Sequence, residues 1–448
     1  MEMSAPSATD QAALYQRPAE LLQNLIRFNT TNPPGNEAEC IDYINHLLTK
    51  AGLETTLLAK DPNRPNLIAR LKGQGNAPPL LLQGHVDVVT TENQTWQQSP
   101  FEARIVDGWV WGRGALDMKS GVAMMLAAFL RARAERVNLP GDIVLCILSD
   151  EERGSEYGAK YLVENHASLF EGIRYAIGEF GGFAFYIGKK RFYPIMVAEK
   201  QPYLIRATVR GPSGHASFFL RGGAMAKLSR LLQQLDQRRL PTHVTPVVRQ
   251  MCETVASALS FPSNLIFRQL LNPVLTDKIL GLLGTKGRSL DALLHNTVNA
   301  TTVRGGEQIW GIPSEVVIEL AANLLPGYHL ADLLTELHQI LGDEVELEGE
   351  SYEAGPAEPD MGLFDMLTGI LHELDPDGIP LPLLSPAPTD GRHFSRLGIQ
   401  TYGFLPMNLP EGFDFLETMH AADERISVEA LDFGTAAIYK ALQRFGMR

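Results

Sequence analysis

Uninterrupted apolar segments alternate along this chain with amphipathic segments of helical period. Residues 143–148, and the first half of residues 80–89, are nearly continuous in apolar side chains, which is typical of strands buried on both faces of a sheet. Residues 120–134, which lie between them, have a strongly helical pattern. This order predicts an α/β protein in which a mixed, mostly parallel sheet is flanked by helices.

The pattern changes near residue 199, where the alternation typical of half-exposed strands replaces the buried strands. Residues 241–289 are helical and poor in strand patterns, and the acidic segment 344–358 has the composition of a return linker. We therefore predict an inserted α+β domain at residues 199–356. The first domain would then consist of residues 1–198 and 357–448.

The net charge, the hydropathy and the cysteine content limit which partners and which compartment the protein could have. A formal net charge of −13 argues against a nucleic acid or an anionic membrane as partner, because neither surface attracts an acidic protein. Residues 1–17 show no signal peptide, and no window is apolar enough to span a bilayer. Cys40, Cys146 and Cys252 have no close spacing, which predicts a reducing, cytoplasmic compartment and no thiolate metal site.

Three short polar clusters interrupt the buried segments. His85 and Asp87 end the first apolar strand, and because residues two apart on an extended chain point the same way, their side chains can meet. Asp117 lies in a glycine-rich loop before the helical segment, and Glu151 and Glu152 follow the second apolar strand. Ligand sites of open α/β sheets lie at such strand ends, so we expect one site there.

Divalent metals that activate water take mixed histidine and carboxylate ligands. Five residues could supply two such metals: His85, Asp117, Glu152, Glu179 and His420. Asp117 would bridge them, two metals can hold one hydroxide and polarise the scissile carbonyl, and Glu151 is then available as general base. Glu171 is the alternative to Glu179 as a ligand.

Each of these residues, taken alone, could instead have a purely structural role. A single histidine at a strand end is more often a hydrogen-bonded structural residue, and paired glutamates before a helix are usually solvated acids of its first turn. The ordered recurrence of the clusters after successive apolar strands favours a metal hydrolase.

Two nucleotide-binding motifs do not match the glycine-rich loop that contains Asp117. Asp117 stands where a dinucleotide-binding fingerprint requires Gly or Ala, and Met118 stands where a phosphate-binding loop requires Gly. The sequence also contains no His-Glu-x-x-His and no Gly-x-Ser-x-Gly motif. Dehydrogenase, NTPase, helix-borne zinc protease and serine hydrolase interpretations are therefore not supported.

Residues 84–87, 112–121 and 149–152 resemble the motifs of the co-catalytic zinc family that includes aminoacylase, acetylornithine deacetylase, succinyl-diaminopimelate desuccinylase and glutamate carboxypeptidase. The resemblance covers nearly the whole chain apart from residues 241–289. It implies that residues 199–356 are the lid and dimerisation domain, and that residues 1–198 and 357–448 are the catalytic, zinc-binding domain. Three further segments are similar to the lid turn, the substrate loop and the last metal ligand of that family: residues 211–215, 389–392 and 418–420.

The resemblance implies a role for each metal ligand. His85 and Glu179 would hold one zinc, and Glu152 and His420 would hold the other. Asp117 would lie between the two metals, with its peptide bond to the next residue in the cis form. Zinc fits these ligands, although cobalt or manganese could occupy them.

The resemblance also implies the residues that act beside the metals. Asp87 would orient the imidazole of His85, and Glu151 would take a proton from water and pass it to the leaving nitrogen. His215 would come from the lid, in dimeric relatives from the lid of the other subunit, and stabilise the oxyanion. Arg392 would bind a substrate carboxylate with its planar fork.

The predicted function is zinc-dependent hydrolysis of a peptide or N-acyl amide bond in a small substrate that carries a carboxylate. The alternatives are a metal-dependent aminopeptidase and, on the same fold, a non-catalytic binding protein. Two lids could pair edge to edge in a homodimer, or residues 241–289 could cover that edge and give a monomer.

Overall fold

The computed structural model describes residues 14–350 and 358–446. The chain forms two compact units, of which the first contains Met1–Val197, Asp360–Leu383 and Thr389–Arg448, and the second contains Ala198–Pro359 and Leu384–Pro388. These bounds differ by a few residues from those expected from the sequence, which did not separate residues 384–388. Most of the N-terminal segment 1–17 and the middle of the segment 344–358 lie outside the described residues.

The regular elements are numbered here in chain order. The strands are β1 Thr55–Leu58, β2 Asn66–Leu71, β3 Leu80–His85, β4 Ile105–Val106, β5 Trp109–Trp111, β6 Ile143–Leu148, β7 Tyr175–Gly178, β8 Phe185–Ile187, β9 Lys190–Glu199, β10 Gln201–Arg210, β11 Gly214–His215, β12 Thr297–Arg304, β13 Gly311–Ile312, β14 Glu315–Leu324, β15 Glu346–Glu350, β16 Ile379–Ser385, β17 Gln400–Gly403 and β18 Arg425–Ser427. The helices are α1 Pro18–Ile26, α2 Ala38–Lys50, α3 Lys119–Ala134, α4 Ala159–Asn165, α5 Ala224–Gln237, α6 Pro246–Ala258, α7 Ser263–Gln269, α8 Pro273–Leu283, α9 Arg288–Leu294, α10 Leu330–Leu341, α11 Phe364–Leu374, α12 Gly391–Ser395, α13 Phe415–Thr418 and α14 Val428–Arg444. Within the described ranges, none of these helices is long and apolar enough to cross a membrane.

The first unit is built on a large mixed sheet with the strand order β1-β2-β6-β3-β7-β17-β9-β16, to which β8 adds by pairing with β9. The four central strands β6, β3, β7 and β17 are parallel, and β1, β2 and β9 pair antiparallel at the margins. Every residue of β3 and of β6 is buried, as expected for strands covered on both faces. Parallel pairing at the centre brings the carboxyl ends of these strands to one edge.

Helix α3 is the buried centre of the helical layer in the first unit. Nearly all of its residues are buried, because apolar side chains surround the helix instead of forming one stripe. Helix α14 packs against α3, and its N-cap Ser427 accepts a hydrogen bond from the Ala430 amide. The two helices can approach closely because a Cβ on Gly434 would lie 2.5 Å from Met124 Sδ.

The second unit contains an antiparallel sheet with the order β12-β14-β10-β15, and its core includes Ile205, Leu320 and Leu337. Strand β14 alternates between buried and less buried residues along its length, which confirms the predicted half-exposed pattern. The prediction of a linker over residues 344–358 was wrong for Glu346–Glu350. This segment alternates Glu with Leu347 and Gly349, and it pairs with β10 as an edge strand.

A buried lysine fixes one connection of the second unit. Lys200 is 0% exposed, and its Nζ donates to Ala292 O (3.0 Å), His295 O (2.9 Å) and Thr297 Oγ1 (3.0 Å). These acceptors span the end of α9 and the start of β12. Burial lowers the pKa of Lys200 to about 7, because removal from water penalises the charged form.

We expect Lys200 to make the stability of the protein depend on pH. Its pKa is lower in the folded state than the value of about 10.4 in an unfolded chain, so between these values the unfolded state binds more protons. The free energy of unfolding should therefore rise from pH 7 to pH 9.5, on the order of 2 kcal/mol from this group. Urea denaturation of wild type and Lys200→Met at both pH values measures the difference. Lys278→Met, at an exposed lysine of the same unit, is the control and should keep the wild-type rise.

Candidate metal centre

Acidic and histidine side chains gather where three adjacent parallel strands end. His85 is the last residue of β3, Glu179 directly follows β7, and Glu151 and Glu152 lie in a 3-10 turn just after β6. The strand order β6-β3-β7 places these ends side by side. The local pattern of a buried strand followed by polar residues predicted that these side chains would lie at one edge of the sheet, and the structure places them there.

The first group of candidate ligands contains His85, Asp117 and Glu179. The Nε2 atom of His85 lies 3.2 Å from Asp117 Oδ1 and 3.4 Å from Glu179 Oε2. His85 and Glu179 are buried, so both groups have lost most of their contact with water. Glu171, the alternative to Glu179, is exposed.

The second group shares Asp117 with the first. The Nε2 atom of His420 lies 3.0 Å from Asp117 Oδ2 and 3.3 Å from Glu152 Oε1. Each oxygen of Asp117 thus faces a different histidine, which is the arrangement expected of a bridging carboxylate. Within the described residues, the candidate ligand atoms of each group all lie within 4.8 Å of one another.

Asp87 lies against the Nδ1 side of the His85 ring. The Nδ1 atom of His85 lies 3.0 Å from the Asp87 carbonyl oxygen and 3.4 Å from Asp87 Oδ1. A proton on Nδ1 satisfies these acceptors and leaves the lone pair on Nε2, where a metal would bind. The Asp87 carboxylate also accepts the amide hydrogens of Glu151 (3.1 Å) and Glu152 (3.2 Å).

Glu424 and Arg113 hold the loop that carries Asp117, and the sequence did not indicate either role. The Glu424 carboxylate accepts amide hydrogens from Leu116 (2.6 Å) and Asp117 (3.1 Å). Arg113 pairs with Glu424 at 2.6 Å and also donates to the carbonyl oxygen of His420 at 3.0 Å. This buried pair joins the loops of Asp117 and His420, and the Asp117 peptide bond to the next residue is cis.

Crowding of acids shifts the titration of the cluster. Burial, reinforced by the Glu179 carboxylate, raises the pKa of Glu151 well above its usual range, and burial raises the pKa of Glu179 to about 7. The hydrogen bond to Asp117, together with the Glu152 carboxylate, raises the pKa of His420 to about 10. Each shift reflects negative charge held close together out of water, which a divalent cation would neutralise.

The donor set fits a pair of metal ions. Each group offers one imidazole nitrogen and two carboxylates, and zinc takes such mixed ligands in catalytic sites. Glu152 Oε1 is buried and makes no hydrogen bond with the described residues, although it lies 3.3 Å from His420 Nε2. A buried carboxylate oxygen without a hydrogen bond is costly unless it binds a cation. The assignment of the five residues as ligands remains a prediction.

The two residues expected to contact the substrate lie in different units, Arg392 in the first and His215 in the second. Arg392 is partly buried in α12, and its Nε donates to His393 Nε2 at 3.1 Å. His215 is an exposed residue of β11 in the second unit, and its Nδ1 accepts the Ser217 amide hydrogen at 3.2 Å. In neutral His215 the proton is therefore on Nε2, which leaves that nitrogen able to donate a hydrogen bond.

Comparison with known proteins identifies the family. Residues 81–444 match the model of "Peptidase family M20/M25/M40", which covers most of the chain and every candidate ligand. The chain belongs to this peptidase family. The M20 assignment confirms the resemblance inferred from the sequence motifs.

Relatives and solved structures agree with this M20 assignment. The chain is 27% identical over 368 residues to the "Probable carboxypeptidase S-like 2" of Dictyostelium discoideum, covering 78% of this chain and 68% of the relative. It is also 27% identical over 385 residues to the human "N-fatty-acyl-amino acid synthase/hydrolase PM20D1", covering 83% and 75% of the two chains.

Two crystal structures of M20 proteins share the fold at low identity. The metallo-carboxypeptidase Sso-CP2 from Sulfolobus solfataricus has a TM-score of 0.69 and 17% identity, covering 96% of this chain and 99% of its own. The Bacillus subtilis YXEP protein, described as a dinuclear metal binding peptidase, has a TM-score of 0.59 and 13% identity, covering 96% and 98%. The present chain is a hydrolase of the metallopeptidase and amidohydrolase type.

Proposed function

We propose that this protein uses two zinc ions to hydrolyse the amide bond of an N-acyl amino acid or short peptide with a free carboxylate. The observation that carries the proposal is the position of Asp117 between two histidines, each with its own glutamate, beside the buried Glu151. Cobalt or manganese could replace zinc at the same ligands.

The metal ligands divide into two sets in this proposal. His85 and Glu179 hold one ion, His420 and Glu152 hold the other, and Asp117 is shared. When bound, the ions supply Lewis-acid activation of water and polarisation of the scissile carbonyl. Asp87 keeps the Nδ1 proton of His85 in place, and the Arg113–Glu424 pair keeps Asp117 and His420 at their positions.

Glu151 is the proposed general base. Its side chain is 13% exposed, and Oε2 lies 3.9 Å from His85 Nε2, so it stands beside the ligands without being one of them. Its raised pKa suits a group that accepts a proton from the attacking water and returns it to the leaving nitrogen. Asp87 fixes the start of the turn on which Glu151 lies, through the Glu151 amide.

Two residues would recognise the substrate. Arg392 would bind its carboxylate, and His215 would donate from Nε2 to the oxyanion that forms at the scissile carbonyl. The names of the two relatives, one a carboxypeptidase S-like protein and one an N-fatty-acyl-amino acid synthase/hydrolase, support substrates of this class.

Two observations support the proposed compartment and assembly. Cys40, Cys146 and Cys252 are free, buried thiols, in keeping with a reducing compartment such as the cytoplasm. Strand β12 is largely exposed at one edge of its sheet and could pair with the lid of a second copy. Sedimentation of the purified protein measures whether that homodimer forms.

The substrate class is tested with N-acyl amino acids, dipeptides, and amino-blocked and carboxyl-blocked dipeptides. We expect turnover of substrates with a free carboxylate, and Arg392→Met should raise KM about 30-fold while kcat changes little, because uniform binding is lost. Arg396→Met, at a neighbouring arginine paired with Glu164, is the matched control. Turnover that requires a free amine and tolerates a blocked carboxylate would identify an aminopeptidase instead.

A further inference from the structure

A chain of buried charged and amide groups runs away from the candidate metal centre in the first unit. Arg64 holds Glu37 through two hydrogen bonds, from Nε at 3.0 Å and from Nη2 at 2.6 Å, and its Nη1 lies 2.9 Å from Asp150 Oδ1. Asn32 then connects Asp150 to Asp87. All five residues are at most 6% exposed, so the chain is shielded from water.

Asn32 is the neutral link between two buried carboxylates. Its Nδ2 donates to Asp87 Oδ2 and to Asp150 Oδ1, each at 2.9 Å. The side-chain oxygen could not occupy this position, because it would face two anions. The Arg64 guanidinium pairs with Glu37 and Asp150 but not with Asp87. The two hydrogens of the Asn32 side-chain amide therefore stabilise the neighbouring carboxylates of Asp87 and Asp150.

The two carboxylates joined by Asn32 also hold the turn that carries the catalytic glutamates. Asp87 accepts the amide hydrogens of Glu151 and Glu152, at 3.1 and 3.2 Å. Asp150, the residue before this turn, has a positive φ of 69° and accepts the Tyr157 amide hydrogen at 3.1 Å. The separation of Asp87 and Asp150 therefore sets the direction in which Glu151 leaves the backbone.

Other hydrogen bonds hold the segment of Asn32 in place. The backbone N–H of Asn32 donates to Val88 O at 2.9 Å, and the backbone N–H of Val88 donates to Thr30 O at 3.1 Å. Thr30 Oγ1 adds a hydrogen bond to Val86 O at 2.5 Å. Because these bonds do not involve the side chain of Asn32, its loss should leave the segment attached and alter mainly the two carboxylates.

We infer that Asn32 is a positioning residue for Glu151, acting through Asp87 and Asp150, with Arg64 fixing the far end of the chain. The inference rests on the proposed function for the role of Glu151. Since Asp87 also contacts Nδ1 of His85, Asn32 acts in the same way on the orientation of one predicted metal ligand.

The test compares Asn32→Ala with Thr30→Val, which removes one buried hydrogen bond of the same segment without touching either carboxylate. At saturating metal, kcat of Asn32→Ala should fall about 100-fold with KM nearly unchanged, because a small misplacement of a reacting group is costly. The metal concentration for half-saturation should rise about tenfold. For Thr30→Val, both should stay within about twofold of wild type.

The metal titration requires no substrate, so it separates the two proposals. If wild type hydrolysed no compound of the panel while Asn32→Ala still bound metal about tenfold more weakly, the proposed function and the role at Glu151 would both fail, and only the action of Asn32 on His85 through Asp87 would stand. Weaker metal binding with an unchanged kcat would overturn the inference, because Asn32 would then act on His85 alone. Equal losses in Asn32→Ala and Thr30→Val would also overturn it.

A graded variant keeps the test informative if Asn32→Ala does not fold. Asn32→Ser retains one shorter donor, which can reach one carboxylate but not both. Its kcat should lie between those of wild type and Asn32→Ala, or about tenfold below wild type where the alanine variant is insoluble. A serine variant with wild-type kcat and metal affinity would contradict the positioning role.

Discussion

Glu151→Gln is expected to lower kcat by about 10³-fold while the protein keeps its metal, because the substitution removes the proton acceptor and preserves the shape of the side chain. Glu151 stands next to the first candidate ligand group, where its Oε2 lies 3.9 Å from His85 Nε2. The ligands themselves are untouched by this variant. Steady-state kinetics and metal analysis on the same preparation measure the two effects together.

Glu156→Gln is the matched control for Glu151→Gln. Glu156 follows on the same loop, is exposed and pairs with Lys160, so its loss should change the thermal midpoint only slightly and leave kcat within about twofold. If Glu151→Gln kept more than about a tenth of the wild-type kcat, another group would have to accept the proton. If it lost its metal, Glu151 would be a ligand and not the base.

Asp117→Ala is expected to abolish tight binding of both metals and to reduce hydrolysis to background. Its two oxygens serve different histidines, at 3.2 Å from His85 Nε2 and 3.0 Å from His420 Nε2. His420→Ala removes one ligand group and leaves the other complete, so it should retain about one metal ion per chain where wild type holds about two. Metal content after dialysis distinguishes the variants.

The thermal midpoint gives a second measurement of the same bridge. Metal that binds only the folded state stabilises it, so wild type should gain stability on addition of zinc and Asp117→Ala should not. Without metal, Asp117→Ala should be less stable than wild type, because His85 and His420 both lose the carboxylate that lies within 3.2 Å of their Nε2 atoms. Retention of two metals by Asp117→Ala would show that Asp117 does not bridge.

The sequence by itself determined the edge of the sheet at which the candidate site lies. Each strand that is buried on both faces must be apolar, so polar residues such as His85 and Glu151 stand out where the strand ends. Parallel strands bring those ends together, and the α/β order of the elements was enough to predict parallel pairing at the centre of the sheet. The change in period near residue 199 predicted an inserted domain in the same way, and the second compact unit begins at Ala198.

The resemblance to the zinc family favoured Glu179 over Glu171 as a ligand, and the tertiary structure gave a physical reason for this preference. Both acids lie near β7, and neither period nor composition separates them. The structure buries Glu179 at 3.4 Å from His85 and leaves Glu171 exposed. The direction of a side chain just beyond a strand depends on the turn that follows, which the local pattern does not encode.

Only the tertiary structure identified the residues that hold the candidate ligands and their loops in place. Arg113 meets Glu424, and Asn32 meets Asp150, across long stretches of sequence. Periodicity reports whether a residue is buried, but a polar residue becomes buried only when packing brings it a partner, and no local pattern names that partner. The candidate ligands could therefore be inferred from the chain in order, while the residues that hold them required the folded molecule.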